Sequence, residues 1–175
     1  MSGWVCPICG LDYDTVNRVD AVVALRSFPR RYGEVLHAVA EETGGDQRLR
    51  TRPEPTKWSA VEYTAHVGDI FQELAGAVRD MVREDQPVLE SDFDPDQAAV
   101  ERDYASRTVD RVLSDLDAGA AAVVDAVDGI SEDDWARTGT FSFGQRDVLA
   151  IVRNAVHEGS HHLRDVGDVI AAVER

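Results

Sequence analysis

Apolar positions along the chain recur at intervals of three and four, the period of helices that bury one face. The first such run covers about residues 19–42, pinched at Pro29 and stopped at Gly44-Gly45. QRLRTRPEPTK predicts a loop, after which Ser59 stands as an N-cap and Glu62, three places on, completes a capping box. The second helix should reach Arg83, with Val67, Phe71, Leu74, Val78 and Val82 on its buried stripe. Residues 84–97 read as an acidic crossing loop, and a third helical region covers about 98–127 in one piece or two. Ser131 and Asp134 mark a short capped turn into Trp135, TGTFSFGQ a loop or a little strand, and the last helix covers about 145–173. Four long amphipathic helices without βαβ alternation predict an all-α four-helix bundle over residues 19–175. The first 18 residues have no sustained period and form an arm carrying Cys6 and Cys9.

Composition narrows the setting. Hydrophobic residues at 43% and charged residues at 29% describe an ordinary globular chain. A formal net charge of −15 argues against nucleic-acid and anionic-membrane partners, which want basic surface. Neither a signal peptide nor a membrane span is legible, so the cytoplasm is the expected location. In that compartment the CPIC pair reads as metal-binding or redox-active rather than as a structural disulfide.

The candidate chemistry lies in HEGSHHLRD, residues 157–165, which holds three of the five histidines. At 100° per residue, Glu158 and His162 fall on the flank of the last helix's core face, one turn apart. His157 and His161 make a second i,i+4 pair that points away from the bundle interior. One site using all three histidines would need ligands on nearly opposite sides of a helix, so two separate uses fit better. His66 sits at the edge of the second helix's apolar face. With Glu158 and His162 it would form a two-histidine, one-carboxylate set, leaving a coordination position open as catalytic zinc sites do. The plainer alternative makes His66 and His162 hydrogen-bonded boundary residues and Glu158 a surface carboxylate. The outer pair has the spacing of the histidine half of a structural zinc site, and Cys6-x-x-Cys9 that of the cysteine half. A zinc ion joining them would anchor the arm, with Gly10 easing the tight turn. Rival readings are a redox dithiol, or a surface histidine pair with the arm bound elsewhere through His37. No dinucleotide, P-loop or nucleophile-elbow pattern competes.

WSAVEYTAH (58–66) and EGSHHLRDV (158–166) resemble the two ligand segments of the DinB-like superfamily of metal-binding four-helix bundles. That superfamily includes the mycothiol-dependent maleylpyruvate isomerases and related thiol S-transferases. The resemblance implies that His66 and His162 are ligands. It places Glu158 at a position that is histidine in many members and glutamate in the maleylpyruvate isomerase branch. A different register would take His157 and His161 with His66; the placing of Asp165 and Val166, and the helical wheel, favour the first. The implied activity is metal-dependent thiol S-transfer or thiol-dependent isomerisation of a small electrophile. Zinc or nickel would occupy the inner site, and a low-molecular-weight thiol such as mycothiol its open position, where the ion lowers the thiol pKa. Tyr63 and Asp165 are candidates to orient a ligand histidine from behind. The alternative is a non-catalytic metal-binding or stress-associated DinB-like protein with a structural zinc site of two cysteines and two histidines. A third class is an interaction module that holds this structural zinc alone. The expected partners are a small thiol and an electrophile, without nucleic acid or membrane; a homodimer is the assembly to test for. The CPICG arm departs from the general family pattern.

Overall fold

Asn17 accepts a hydrogen bond from the Asp20 backbone and so opens helix α1, Arg18–Ala40. The computed structural model describes residues 4–89 and 94–173. Pro29 lies inside α1, which runs through it unbroken where the sequence suggested a pinch. Gly44, with φ +78°, reverses the chain into a short helix α2, Gly45–Arg50. This helix replaces the first part of the expected loop. Its single fully buried apolar residue, Leu49, gives too little pattern to show a period.

Helix α3, Ala60–Arg83, starts at Ser59 with both halves of the capping box formed. Glu62 is only 3% exposed. Its carboxylate is held by the Ser59 hydroxyl at 2.8 Å and by Arg52 Nε at 2.9 Å. These contacts fix the entry of α3, nearly two turns before His66. Val67, Phe71 and Val78 are fully buried as expected, but Ala75 and Met81 complete the stripe while Leu74 and Val82 stand half-buried.

The third helical region divides into α4, Pro95–Glu101, and α5, Val109–Val127, joined through a 3-10 turn at Tyr104–Ser106. Part of the acidic crossing segment, residues 90–93, lies outside the described residues. The Ser131–Asp134 cap forms, with Ser131 Oγ donating to Asp134 Oδ2 at 2.7 Å, and Trp135 behind it is buried. TGTFSFGQ becomes an antiparallel hairpin of β1, Thr138–Phe141, and β2, Gly144–Asp147. Pairing of Thr138 with Asp147 carries β2 three residues into the expected helix, so α6 begins at Val148 and runs to Val173.

The architecture is therefore all-helical in its core, with six helices and one hairpin among the described residues rather than a bare four-helix bundle. The long helices α1, α3, α5 and α6 form the bundle; α3 packs chiefly on α5 and α6. The α3–α5 approach is close because it lacks side chains: a Cβ on Gly119 would stand 2.6 Å from the Gly68 carbonyl oxygen. No helix among the described residues is long and apolar enough to cross a membrane.

Candidate metal centre

The i,i+4 spacing on α6 puts Glu158 and His162 one turn apart, and the α3–α6 contact brings His66 against them. His162 Nε2 lies 3.3 Å and His66 Nε2 3.8 Å from the same Glu158 oxygen, Oε2. Ligands bonded at 2.0–2.1 Å around a tetrahedral ion are separated by about 3.4 Å. Both separations from Glu158 Oε2 are thus close to that value, and all three ligand atoms lie within 4.8 Å of one another. Asp165 Oδ2 holds the other ring nitrogen of His162 at 2.8 Å, the contact that fixes a ligand histidine's tautomer and orientation. Aromatic walls complete the site. Tyr63 stacks on His162 with ring centroids 5.3 Å apart, and Trp58 lies 5.1 Å from His66. Tyr63 thus meets His162 by its ring face.

The electrostatics favour a cation. Burial works against the Glu158 carboxylate, but His157, His162 and His66 outweigh it and hold its pKa far below the usual carboxylate range. Burial also works against the His162 imidazolium, yet Asp165 and Glu158 overcome it and raise its pKa to about 9. A metal must displace that proton. Inner-site affinity is therefore expected to rise about tenfold per pH unit between pH 7 and about 9, then level off, because one proton leaves per ion bound below that pKa. Competition against a chelator at pH 7, 8 and 9 measures this; a flat profile would show His162 already neutral.

The second cluster forms where the arm crosses α6. Cys6, Cys9, His157 and His161 bring one ligand atom each within 4.8 Å of one another. Cys6 Sγ stands 3.5 Å from His161 Nδ1. His37, the other suggested anchor, is elsewhere, 3.7 Å from Asp110. Burial opposes the Cys6 thiolate, but the Cys9 and Ile8 backbone N–H groups and the His157 and His161 rings prevail and lower its pKa to about 5. Burial raises the Cys9 thiol above its ordinary value. Trp4 and Tyr13 cover His157 at ring-centroid distances of 5.3 and 5.6 Å, and Tyr13 donates to Asn154 Oδ1 at 3.0 Å. Sequence reasoning did not assign these two aromatics or Trp58 to the sites, because nothing local to a tryptophan or tyrosine codon position signals which helix it will cover.

A family model described as the DinB superfamily matches residues 29–166. The chain belongs to the DinB superfamily. All the inner-site residues of this DinB protein lie within the matched span, as do His157 and His161, whereas Cys6 and Cys9 lie outside it. Among solved structures it is similar to YfiT from Bacillus subtilis, described as "a probable metal-dependent hydrolase with an unusual four-helix bundle topology". That likeness has a TM-score of 0.75 over 89% of each chain at 13% identity, and it concerns the fold. No curated protein matches the chain.

The donor set suits a divalent ion: two imidazole nitrogens and one carboxylate within 4.8 Å of one another. Beside it opens a cleft of about 350 Å3, lined by Trp58, His66, Ile70, Pro95, Glu158 and His162.

Proposed function

We propose that this DinB protein binds a divalent cation, zinc or nickel, through His66, Glu158 and His162, and serves metal-dependent chemistry on a small molecule entering the cleft. The observation that carries this reading is the convergence of three ligand atoms on the wall of that cleft. Three protein ligands leave a coordination position for an exogenous group. A divalent ion there lowers the pKa of a water or thiol that it binds. Glu158 and the two imidazoles hold the ion, Asp165 keeps the His162 ring in place, and Trp58, Ile70 and Pro95 offer an apolar wall to the entering molecule.

The finer reading is thiol S-transfer or thiol-dependent isomerisation with a low-molecular-weight thiol such as mycothiol. Glu158, the residue that resembles the maleylpyruvate isomerase branch, supports it. The described cleft lining holds no lysine or arginine, which favours an uncharged electrophile over a dianion. Hydrolysis, the description attached to YfiT, is the rival use of the same open position. A non-catalytic metal-binding protein is favoured by a different observation, the more complete four-ligand cluster at the arm. Cobalt substitution separates these readings. Thiol transfer predicts that a small thiol changes the visible spectrum of the inner cobalt in wild type and not in His66→Ala. A spectrum moved by hydroxamates but not thiols would favour hydrolysis, and one moved by neither would leave the non-catalytic reading standing.

A further inference from the structure

The two ligand clusters are not independent. Each histidine of the arm cluster uses one ring nitrogen toward the cysteines and turns the other toward a carboxylate of the inner site. His161 Nδ1 faces Cys6 Sγ at 3.5 Å, while its Nε2 lies 3.6 Å from Asp165 Oδ2. That same oxygen holds His162 Nδ1 at 2.8 Å. His157 Nδ1 lies 3.6 Å from Glu158 Oε1, while Glu158 Oε2 faces His66 and His162. Two carboxylates therefore stand between the clusters, and each touches a histidine of both.

We propose that Cys6, Cys9, His157 and His161 bind a second ion, zinc, in a closed site that positions Glu158 and Asp165 for the inner centre. Four features carry the closed site. Its chemistry is complete, two thiols and two imidazoles at tetrahedral ligand number. The 3.5 Å Cys6–His161 separation matches the edge of about 3.6 Å expected for zinc–sulfur and zinc–nitrogen bonds of 2.3 and 2.0–2.1 Å. His157 Nε2, the atom left for a ligand when Nδ1 faces Glu158, is buried with no hydrogen-bond partner among the described residues. Lastly, the cysteine turn has the form of a metal knuckle. Gly10 at φ +75° lets its N–H reach Cys6 O at 2.9 Å, and Cys6 N–H donates back to Leu11 O at 2.9 Å. Cys6 is 3% exposed, Trp4 and Tyr13 cover His157, and protein side chains supply all four ligands, so the ion is structural rather than substrate-binding.

The linking role follows from the two shared carboxylates. With its other nitrogen on a metal, each arm histidine is held in one rotamer and one tautomer. It then offers a fixed N–H toward Glu158 or Asp165. Without the ion neither ring has its tautomer fixed by a metal, and the carboxylates lose a fixed N–H partner on the side away from the inner site. Loss of an outer partner of this kind typically weakens metal affinity by about 10- to 100-fold.

The linking half of this proposal rests on the inner site binding an ion, as proposed above; the closed site does not. The test loads the full chain with zinc or cobalt and reads elemental stoichiometry together with absorption. Wild type should hold two equivalents and show sulfur-to-cobalt charge transfer in the near ultraviolet. The double variant Cys6→Ser/Cys9→Ser should lose one equivalent and the sulfur band, and its remaining zinc should bind about 10- to 100-fold more weakly. His66→Ala should lose the other equivalent and keep the sulfur band. Asp165→Asn leaves all seven ligands in place and should both weaken the inner ion and shift the sulfur band, so the link remains testable if the cysteine variant does not fold. Folded wild type without a sulfur band, or a cysteine variant with undiminished metal, overturns the closed site. A lost band with unchanged inner affinity overturns the link. A sulfur band with a single equivalent in wild type overturns the inner-site function and the link while supporting the closed site.

Discussion

Replacing Glu158 by glutamine is expected to empty the inner centre while the bundle stays folded. The substitution keeps the side chain's size, and Glu158 lies at the cleft wall rather than in the apolar core. It removes the one negative ligand, whose oxygen Oε2 is the common neighbour of His66 and His162. Loss of an outer-sphere partner costs a site up to about 100-fold in affinity, so loss of a charged ligand should exceed that. Any metal-dependent activity should fall with it, and zinc titration against a chelator, beside the circular dichroism of the folded protein, reads both outcomes. His157→Ala should weaken the inner ion less, because His157 reaches that site only through Glu158 Oε1. The reverse order, with His157→Ala emptying the inner site and Glu158→Gln retaining its metal, would assign the inner ion to His66, His157 and His161 instead.

Much of this arrangement is legible in the chain because it depends on short-range periods. The division of HEGSHHLRD into an inward Glu158/His162 pair and an outward His157/His161 pair follows from 100° per residue alone. The capping box at Ser59 and Glu62 fixes where α3 begins, and with it the phase of His66. Features that depend on contacts between distant segments are not legible in this way. Helix α2 carries one fully buried leucine after a glycine reversal, too little pattern to distinguish it from loop. The hairpin extends to Asp147 through pairing with Thr138, which no local preference at Gly144–Asp147 announces. Asp165 was foreseen as a partner of one histidine. That its Oδ2 serves His161 as well as His162 depends on which rotamers the crossing arm permits. The outward histidines, which the wheel points away from the bundle interior, are largely covered because Trp4, Cys6 and Tyr13 fold over them.

Gly159→Ala is expected to cost about 1–3 kcal/mol of stability, the range for overpacking a core, and to loosen the inner metal as well. The position lies between the two α6 ligands in sequence, one residue after Glu158 and three before His162. A Cβ there would meet the Phe28 ring at 2.5–2.7 Å at three atoms. Phe28 is fully buried and cannot swing away freely. Tyr32 and Phe71 flank its ring at centroid distances of 6.4 and 6.1 Å, and Tyr32 Oη donates to the Gly159 carbonyl at 2.9 Å. The strain is therefore relieved chiefly by moving α6 away from α1, carrying Glu158 and His162 with it while His66 stays on α3. At this chain length each kcal/mol lowers Tm by roughly 2–4 °C, so the metal-free variant should melt measurably earlier. Phe28→Leu supplies the control, since a smaller side chain gives the new methyl room. The double variant Gly159→Ala/Phe28→Leu should lose less stability than the two single costs added together, and it should regain inner-metal affinity relative to Gly159→Ala. Simple additivity in both readouts would show that the glycine is not what sets the α1–α6 approach. The position of the two α6 ligands relative to His66 would then have to be set by other contacts, the α3–α6 packing first among them.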